Sequence, residues 1–274
     1  MNKALLASFV LWGFVNVATA NALEQVDSLV SVRLGNGLEQ RGVLTTVKGD
    51  NPSALALLFP GEPAVLKAEV VDSKLVKTRL GGNPLVRARH LLVRPGLGAV
   101  LVDCRSDHQE QCDESYIMSK DRFEDVRRLV SELKQNNPGV TKVWVVGHSL
   151  GALASASLAR FGEHTFDGAI HTATILSNRA SYKSLVGFNF SAARVPQLFI
   201  HQRNDRCPGT PLSEVESAAA RHKIPLVIIS EASGVKGGVC QPFSEHGFAG
   251  AEQQLMQTIY DAIDRGVDQF NRGN

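Results

Sequence analysis

Aromatic side chains are scarce in this chain, with two tryptophans, three tyrosines and twelve phenylalanines among 274 residues. So few flat faces leave no stacking surface of the kind that grips single-stranded nucleic acid or sugar rings. An excess of one charge is missing too: 29 Lys and Arg stand against 27 Asp and Glu, with no basic stripe, so nucleic acid is not implied as a partner. The four cysteines form no Cys-x-x-Cys or Cys-x-x-His pair, and His90, His108, His164 and His171 show no ligand spacing. A catalytic metal is therefore not expected, and no other cofactor is implied. Repeats, low-complexity tracts and linker-like shifts of composition are lacking as well.

One long apolar run does exist, from Ala4 to Val17, preceded by Met-Asn-Lys and followed by the small-residue sites Ala18-Thr19-Ala20 and Ala20-Asn21-Ala22. That pattern reads as a secretory signal peptide over residues 1–22. It is short for a membrane span, and no cysteine follows to accept a lipid. The expectation is an exported mature chain, periplasmic or secreted, that begins near Asn21 or Leu23 and keeps no membrane span. Residues 23–274 are sized for a single α/β domain with a large core. Four cysteines in an oxidising compartment invite pairing, and three pairings are possible. Cys104 and Cys112 bracket the short polar stretch Arg105–Gln111 and could close it locally.

Short β-type runs at Ser28–Arg33 and Gly42–Val47, with Asn36-Gly37 between them, predict a leading hairpin. Further strands are expected at Ala54–Phe59, Gly98–Val102, Val143–Val146, Gly168–Leu176, Gln197–His201 and Leu226–Ser230. Helical patterns alternate with them at Pro84–Leu92, Asp121–Gln135, Leu150–Arg160, Ser213–His222 and from Gly247 to about Val267. Strands apolar on both faces that alternate with helices predict a mainly parallel central sheet covered on both sides. Reactive loops then gather at the carboxyl ends of the strands. Only Asn178–Pro196 leaves room for a lid, a minimal one.

The most telling segment is Lys142–Ala154, where an apolar run breaks at Gly147-His148-Ser149-Leu150-Gly151 into a helix former's sequence. It reads as strand, tight turn and helix with one hydroxyl at the bend. Gly147 and Gly151 lack the Cβ atoms that would crowd so sharp a fold, and Ser149 is held in a strained conformation. The N-terminus of the next helix lies behind the hydroxyl and favours an anionic intermediate. The arrangement suits nucleophilic attack on a carbonyl.

With that elbow and this order of elements, the chain resembles the α/β hydrolases, the serine hydrolases of the esterase, lipase and peptidase superfamily, over nearly all of residues 23–274. The resemblance implies a triad in the order nucleophile, acid, histidine. Ser149 stands at the nucleophile's place. Asp205 follows the Gln197–His201 strand as the acid, whereas Ser177-Asn178-Arg179, after the preceding strand, holds no carboxylate. His246 follows the last strand and would serve as the base. His148 is expected to shape the pocket, His201 to pack beside the acid, and His222 to cap a helix end. One oxyanion donor would be the Leu150 N–H. The second would come from Pro60-Gly61-Glu62-Pro63, standing where the family has His-Gly; as proline has no N–H, Glu62 is the first choice and Gly61 the second.

If Asp205 and His246 must meet, Cys207 and Cys240 travel with their loops, and a Cys207–Cys240 disulfide would join the two. The implied activity is cleavage of a carboxylic ester, thioester or amide of a small molecule through an acyl-enzyme on Ser149, without a cofactor. The same residues could instead transfer the acyl group to an alcohol. A binding protein that kept the fold without turnover is the rival of another class.

Overall fold

The apolar runs become strands and the amphipathic ones helices, in a computed structural model that describes residues 23–179 and 183–273. The expected signal peptide, residues 1–22, lies outside the described residues. Strands β1 (Gln25–Gly35) and β2 (Leu38–Val47) form the antiparallel hairpin. Asn36 and Gly37 turn it with positive φ values of 50° and 73°, the twist that a tight hairpin demands. Strand β3 (Ala54–Phe59) follows, then a small ribbon of β4 (Glu69–Val71) and β5 (Lys74–Lys77), the short helices α1 (Pro84–Arg87) and α2 (Arg89–Leu92), and β6 (Leu97–Arg105). The rest is α3 (Glu114–Ile117), α4 (Lys120–Asn136), β7 (Lys142–His148), α5 (Leu150–Phe161), β8 (Gly168–Thr172), β9 (Gln197–Gln202), α6 (Leu212–His222), β10 (Leu226–Ile229) and α7 (Glu252–Arg265).

Eight strands make one sheet in the order β1-β2-β6-β3-β7-β8-β9-β10. From β6 to β10 every pairing is parallel, and β1–β2 and β2–β6 are antiparallel, so β2 alone runs against the other strands. This is the expected α/β-hydrolase architecture. Alternate side chains of β3 sort to opposite faces: Leu55, Leu57 and Phe59 pack with α4, α5 and α6, while Ala54, Ala56 and Leu58 pack with α1, α2 and α7. Both faces of the central strands are thus dry, which is why their sequences show no polar alternation. No helix among the described residues is long and apolar enough to cross a membrane.

The hairpin strands and β6 extend three or four residues beyond the expected runs, and three further differences have a backbone origin. β8 stops at Thr172 instead of Leu176 because Ala173 adopts a φ of 44° and turns the chain out of the ladder. α7 starts at Glu252 and not at Gly247, since Phe248 and Gly250 have φ values of 55° and 75° that no helix accommodates. The stretch Pro84–Leu92 is two separate turns that break at Ala88. The β4–β5 ribbon was not visible in the sequence, because its residues are too exposed to carry an apolar alternation.

Buried polar groups tie the layers together. His171 on β8 lies 2.7 Å from Ser155 Oγ on α5 and 3.2 Å from Gln197 Oε1 on β9, and Gln197 Nε2 donates to Phe190 O at 2.9 Å. Burial presses the His171 imidazole down to about 4, with the Gln197 bond opposing. The native state thus stays unprotonated there while the unfolded chain takes up a proton near 6.5, so stability falls as pH drops from about 6.5 to 4. Thermal unfolding across that range should show His171→Gln with a shallower loss than wild type, the difference approaching 1.4 kcal/mol per pH unit. Parallel slopes would contradict the assignment.

Candidate active site

The elbow forms because backbone meets backbone. A Cβ on Gly147 would collide with the Gly151 carbonyl, and one on Gly151 with the Phe59 carbonyl at the end of β3. Between them Ser149 sits at φ 55° and ψ −119°, a conformation costing about 1–3 kcal/mol for a residue with a side chain. Its N–H donates to Thr172 O at 3.0 Å, and its carbonyl accepts from Ala152 N–H at 2.9 Å, so the strain is pinned from both sides. Leu150 is the first residue of α5, and its N–H has no earlier helical carbonyl to reach.

Asp205 lies three residues beyond β9 and is only 9% exposed. Its Oδ2 accepts from His246 Nδ1 at 3.0 Å and from Thr210 Oγ1 at 2.8 Å, and its Oδ1 accepts from the Cys207 N–H at 2.9 Å. Burial alone would push this carboxyl up. The bond to His246, the electrostatic pull of the His246 and His201 imidazoles and the Cys207 N–H outweigh it, and Asp205 lies below the usual carboxylate range. His201 Nε2 stands 3.8 Å from Asp205 Oδ2, and burial holds that ring neutral at about 4.

His246 is carried by a loop that a single guanidinium clamps. Arg87, on α1, donates to Gly247 O at 2.7 Å, to Pro242 O at 3.1 Å and to Glu252 Oε1 at 2.6 Å. One cation thereby locks α1, the histidine loop and the start of α7 together, through the stronger charge-assisted kind of bond.

These elements enclose a cleft of about 480 Å³ whose lining includes Gly61, Asn83, Ser149, Leu150, Thr210 and His246. The cleft brings Ser149 and His246 to one space, although no hydrogen bond joins Ser149 Oγ to the imidazole among the described residues. Gly61 is buried against the elbow, where a Cβ would stand 3.2 Å from Ser149 Cβ; Glu62 borders the cleft with an exposed side chain. His148 is buried, its Nδ1 lies 3.0 Å from Thr172 Oγ1, and burial followed by the nearby His246, Arg87 and His201 charges keeps it well below the usual histidine range. His222 does end α6, but its Nδ1 pairs with Ser191 Oγ at 2.9 Å and the cap residue is Lys223.

Three contributors were missed in the sequence. Arg87 carries no local signal, since its partners lie about 160 residues away, and Thr210, five residues after Asp205, belongs to no pattern that marks it as a donor. Asn83 had one: it precedes Pro84 and caps α1, a pairing typical of helix starts.

Both expected disulfides are formed, Cys104–Cys112 and Cys207–Cys240. The second borders the cleft and joins the Asp205 loop to the His246 loop. Closing a loop of that length removes about 3–4 kcal/mol of unfolded-state freedom. A Cys207→Ser/Cys240→Ser variant should melt at lower temperature and lose activity with it. An unchanged melting temperature and unchanged turnover would show that the bridge orders nothing.

Comparison with known proteins comes down on the same fold. A model of the family described as serine aminopeptidase, S33, matches residues 91–228. Among curated proteins, none matches the chain. Among solved structures, a lidless α/β serine hydrolase from Xanthomonas campestris is similar at 15% identity and a TM-score of 0.54, covering 89% of this chain and 94% of its own. An esterase from Pyrococcus furiosus is similar at 12% identity and a TM-score of 0.60, with 89% and 92% covered. An acylaminoacyl peptidase from Pyrococcus horikoshii is similar at 14% identity and a TM-score of 0.58, over 93% of this chain and 43% of that one. At such identities the likeness is one of fold.

Proposed function

Because the chain belongs to the serine aminopeptidase S33 family of α/β hydrolases, we propose that it is a serine hydrolase that cleaves a carboxylic ester of a small acyl group through an acyl-enzyme on Ser149. The observation that carries this reading is the buried Asp205–His246 pair opening onto the same cleft as the strained Ser149. In the proposed reaction Ser149 Oγ attacks the carbonyl carbon while His246 Nε2 takes its proton. Asp205 holds the Nδ1 proton and stabilises the imidazolium that forms. The oxyanion is met by the Leu150 N–H and by the backbone at Glu62 or Gly61. His246 then protonates the departing alcohol, and water repeats the sequence to release the acid.

The cleft's size supports a small substrate. Its lining mixes apolar walls, from Ile175, Leu150, Pro208 and Pro242, with polar groups such as Asn83, Thr210 and Gln241. An alkoxide leaves more readily than an amide anion, so an ester depends less on proton transfer from His246 than an amide does. Peptide cleavage is the second reading: the S33 description and the Glu62 carboxylate at the cleft, which could face a substrate ammonium, favour it. Residues 23–274 are proposed to act as one domain, and two disulfides fit a protein that works after export to an oxidising compartment.

A substrate panel tests this directly. Short-chain p-nitrophenyl esters should be hydrolysed faster than long-chain ones and faster than aminoacyl p-nitroanilides, with Ser149→Ala inactive on all. Preference for the anilides would move the assignment to aminopeptidase. Added alcohol that captures the acyl group in place of water would make the protein a transferase, and a folded wild type inert to every substrate would leave a binding protein.

A further inference from the structure

The turn Pro60-Gly61-Glu62-Pro63 that follows β3 is short of hydrogen-bond donors. Pro60 and Pro63 carry no N–H, which leaves only Gly61 and Glu62 as backbone donors on that side of Ser149. Beside them lies Asn83, 6% exposed and part of the cleft lining. Its Oδ1 is committed, accepting the Leu85 N–H at 3.0 Å to cap α1. A donor facing that atom fixes which end of the amide is oxygen, so Nδ2 and its two protons point the other way. The other way is toward the elbow. The spot where a Cβ on Gly61 would stand is 3.4 Å from Asn83 Nδ2 and 3.2 Å from Ser149 Cβ, so the amide and the serine flank the same stretch of backbone. Among the described residues Nδ2 donates no hydrogen bond. Nδ2 is not one of the fully enclosed unpartnered atoms, so it reaches the cleft, where an acceptor on a bound ligand can take its hydrogen bond.

We propose that Asn83 is a catalytic residue whose Nδ2 donates to the oxyanion, supplementing the Leu150 N–H and the Gly61–Glu62 backbone. The proposal rests on the reading of Ser149 as the nucleophile. As Oγ bonds to the carbonyl carbon, the C=O π pair moves onto oxygen and the serine proton passes to His246 Nε2. The charge that appears on oxygen strengthens the amide's hydrogen bond beyond what the neutral carbonyl receives, and only that increment accelerates the step. The α1 cap holds the amide in place before the substrate arrives, so little reorganisation accompanies the charge. Asn83 thus substitutes a side-chain donor for what two prolines withhold.

Fluorophosphonate labelling of the full chain tests this without knowledge of the substrate, because the phosphonyl oxygen occupies the oxyanion's place. Asn83→Asp and Asn83→Ser both keep an acceptor for Leu85 N–H and both remove the amide donor. Wild type should label and Ser149→Ala should not; both Asn83 variants should label on the order of 100-fold more slowly at an unchanged melting temperature. Asn83→Ala should lose the cap as well as the donor, lowering the melting temperature and the labelling rate together. Recovery of both by Asn83→Asp would mean that Asn83 is only a cap, and it would overturn the proposal while the Ser149 reading stands. Equal labelling of wild type and either folded variant overturns it likewise. A folded wild type that does not label removes the Ser149 reading, and this proposal with it.

Discussion

The site depends on burying one carboxylate. An unpaired Asp205 at this depth would cost several kcal/mol and would take up a proton instead. Its two oxygens meet three donors, from His246, Thr210 and the Cys207 backbone. These donors come from two loops that are far apart in sequence, so satisfying the carboxylate also brings the loops together. The disulfide, the Arg87 clamp and the Asp205 bonds all act on that same junction.

The opposite wall of the cleft is built by a different means. There the constraint is close packing: Gly151 rests on the Phe59 carbonyl, Gly147 on Gly151, and Ser149 takes up the strain between them. Such strain persists only where the surroundings over-determine it. β7 in the middle of a dry parallel sheet, with α5 buried against it, supplies that rigidity. A polar loop assembly and a rigid backbone elbow thus face each other across one cleft, and the proposed chemistry lies between them.

Much of this architecture can be read from the chain alone, for reasons that differ from element to element. Strands β3, β6, β7 and β9 are apolar on both faces, and a parallel sheet is the arrangement that hides such strands. Gly147 and Gly151 announce the elbow because steric demand confines those two positions to glycine. Asp205 and His246 are legible as polar residues just past strand ends, but their contact is a property of folded loops. What escapes the sequence is mostly long-range: Arg87 acts on partners in other segments, and the reach of Asn83 depends on how residues 60–83 fold back over the elbow. Local backbone reversals at Ala173 and Phe248, neither of them glycine, also leave no trace in the periodicity and move two boundaries.

In the proposed mechanism the Asp205–His246 hydrogen bond organises His246 as the base for Ser149. Replacing Asp205 by Asn keeps the size and the Thr210 contact but reverses the preferred imidazole tautomer. The most direct measurement is kcat/KM of Asp205→Asn on the best ester substrate, with folding checked by melting temperature. A loss of about 10⁴-fold in a folded variant is the predicted result. Activity within tenfold of wild type would contradict the account.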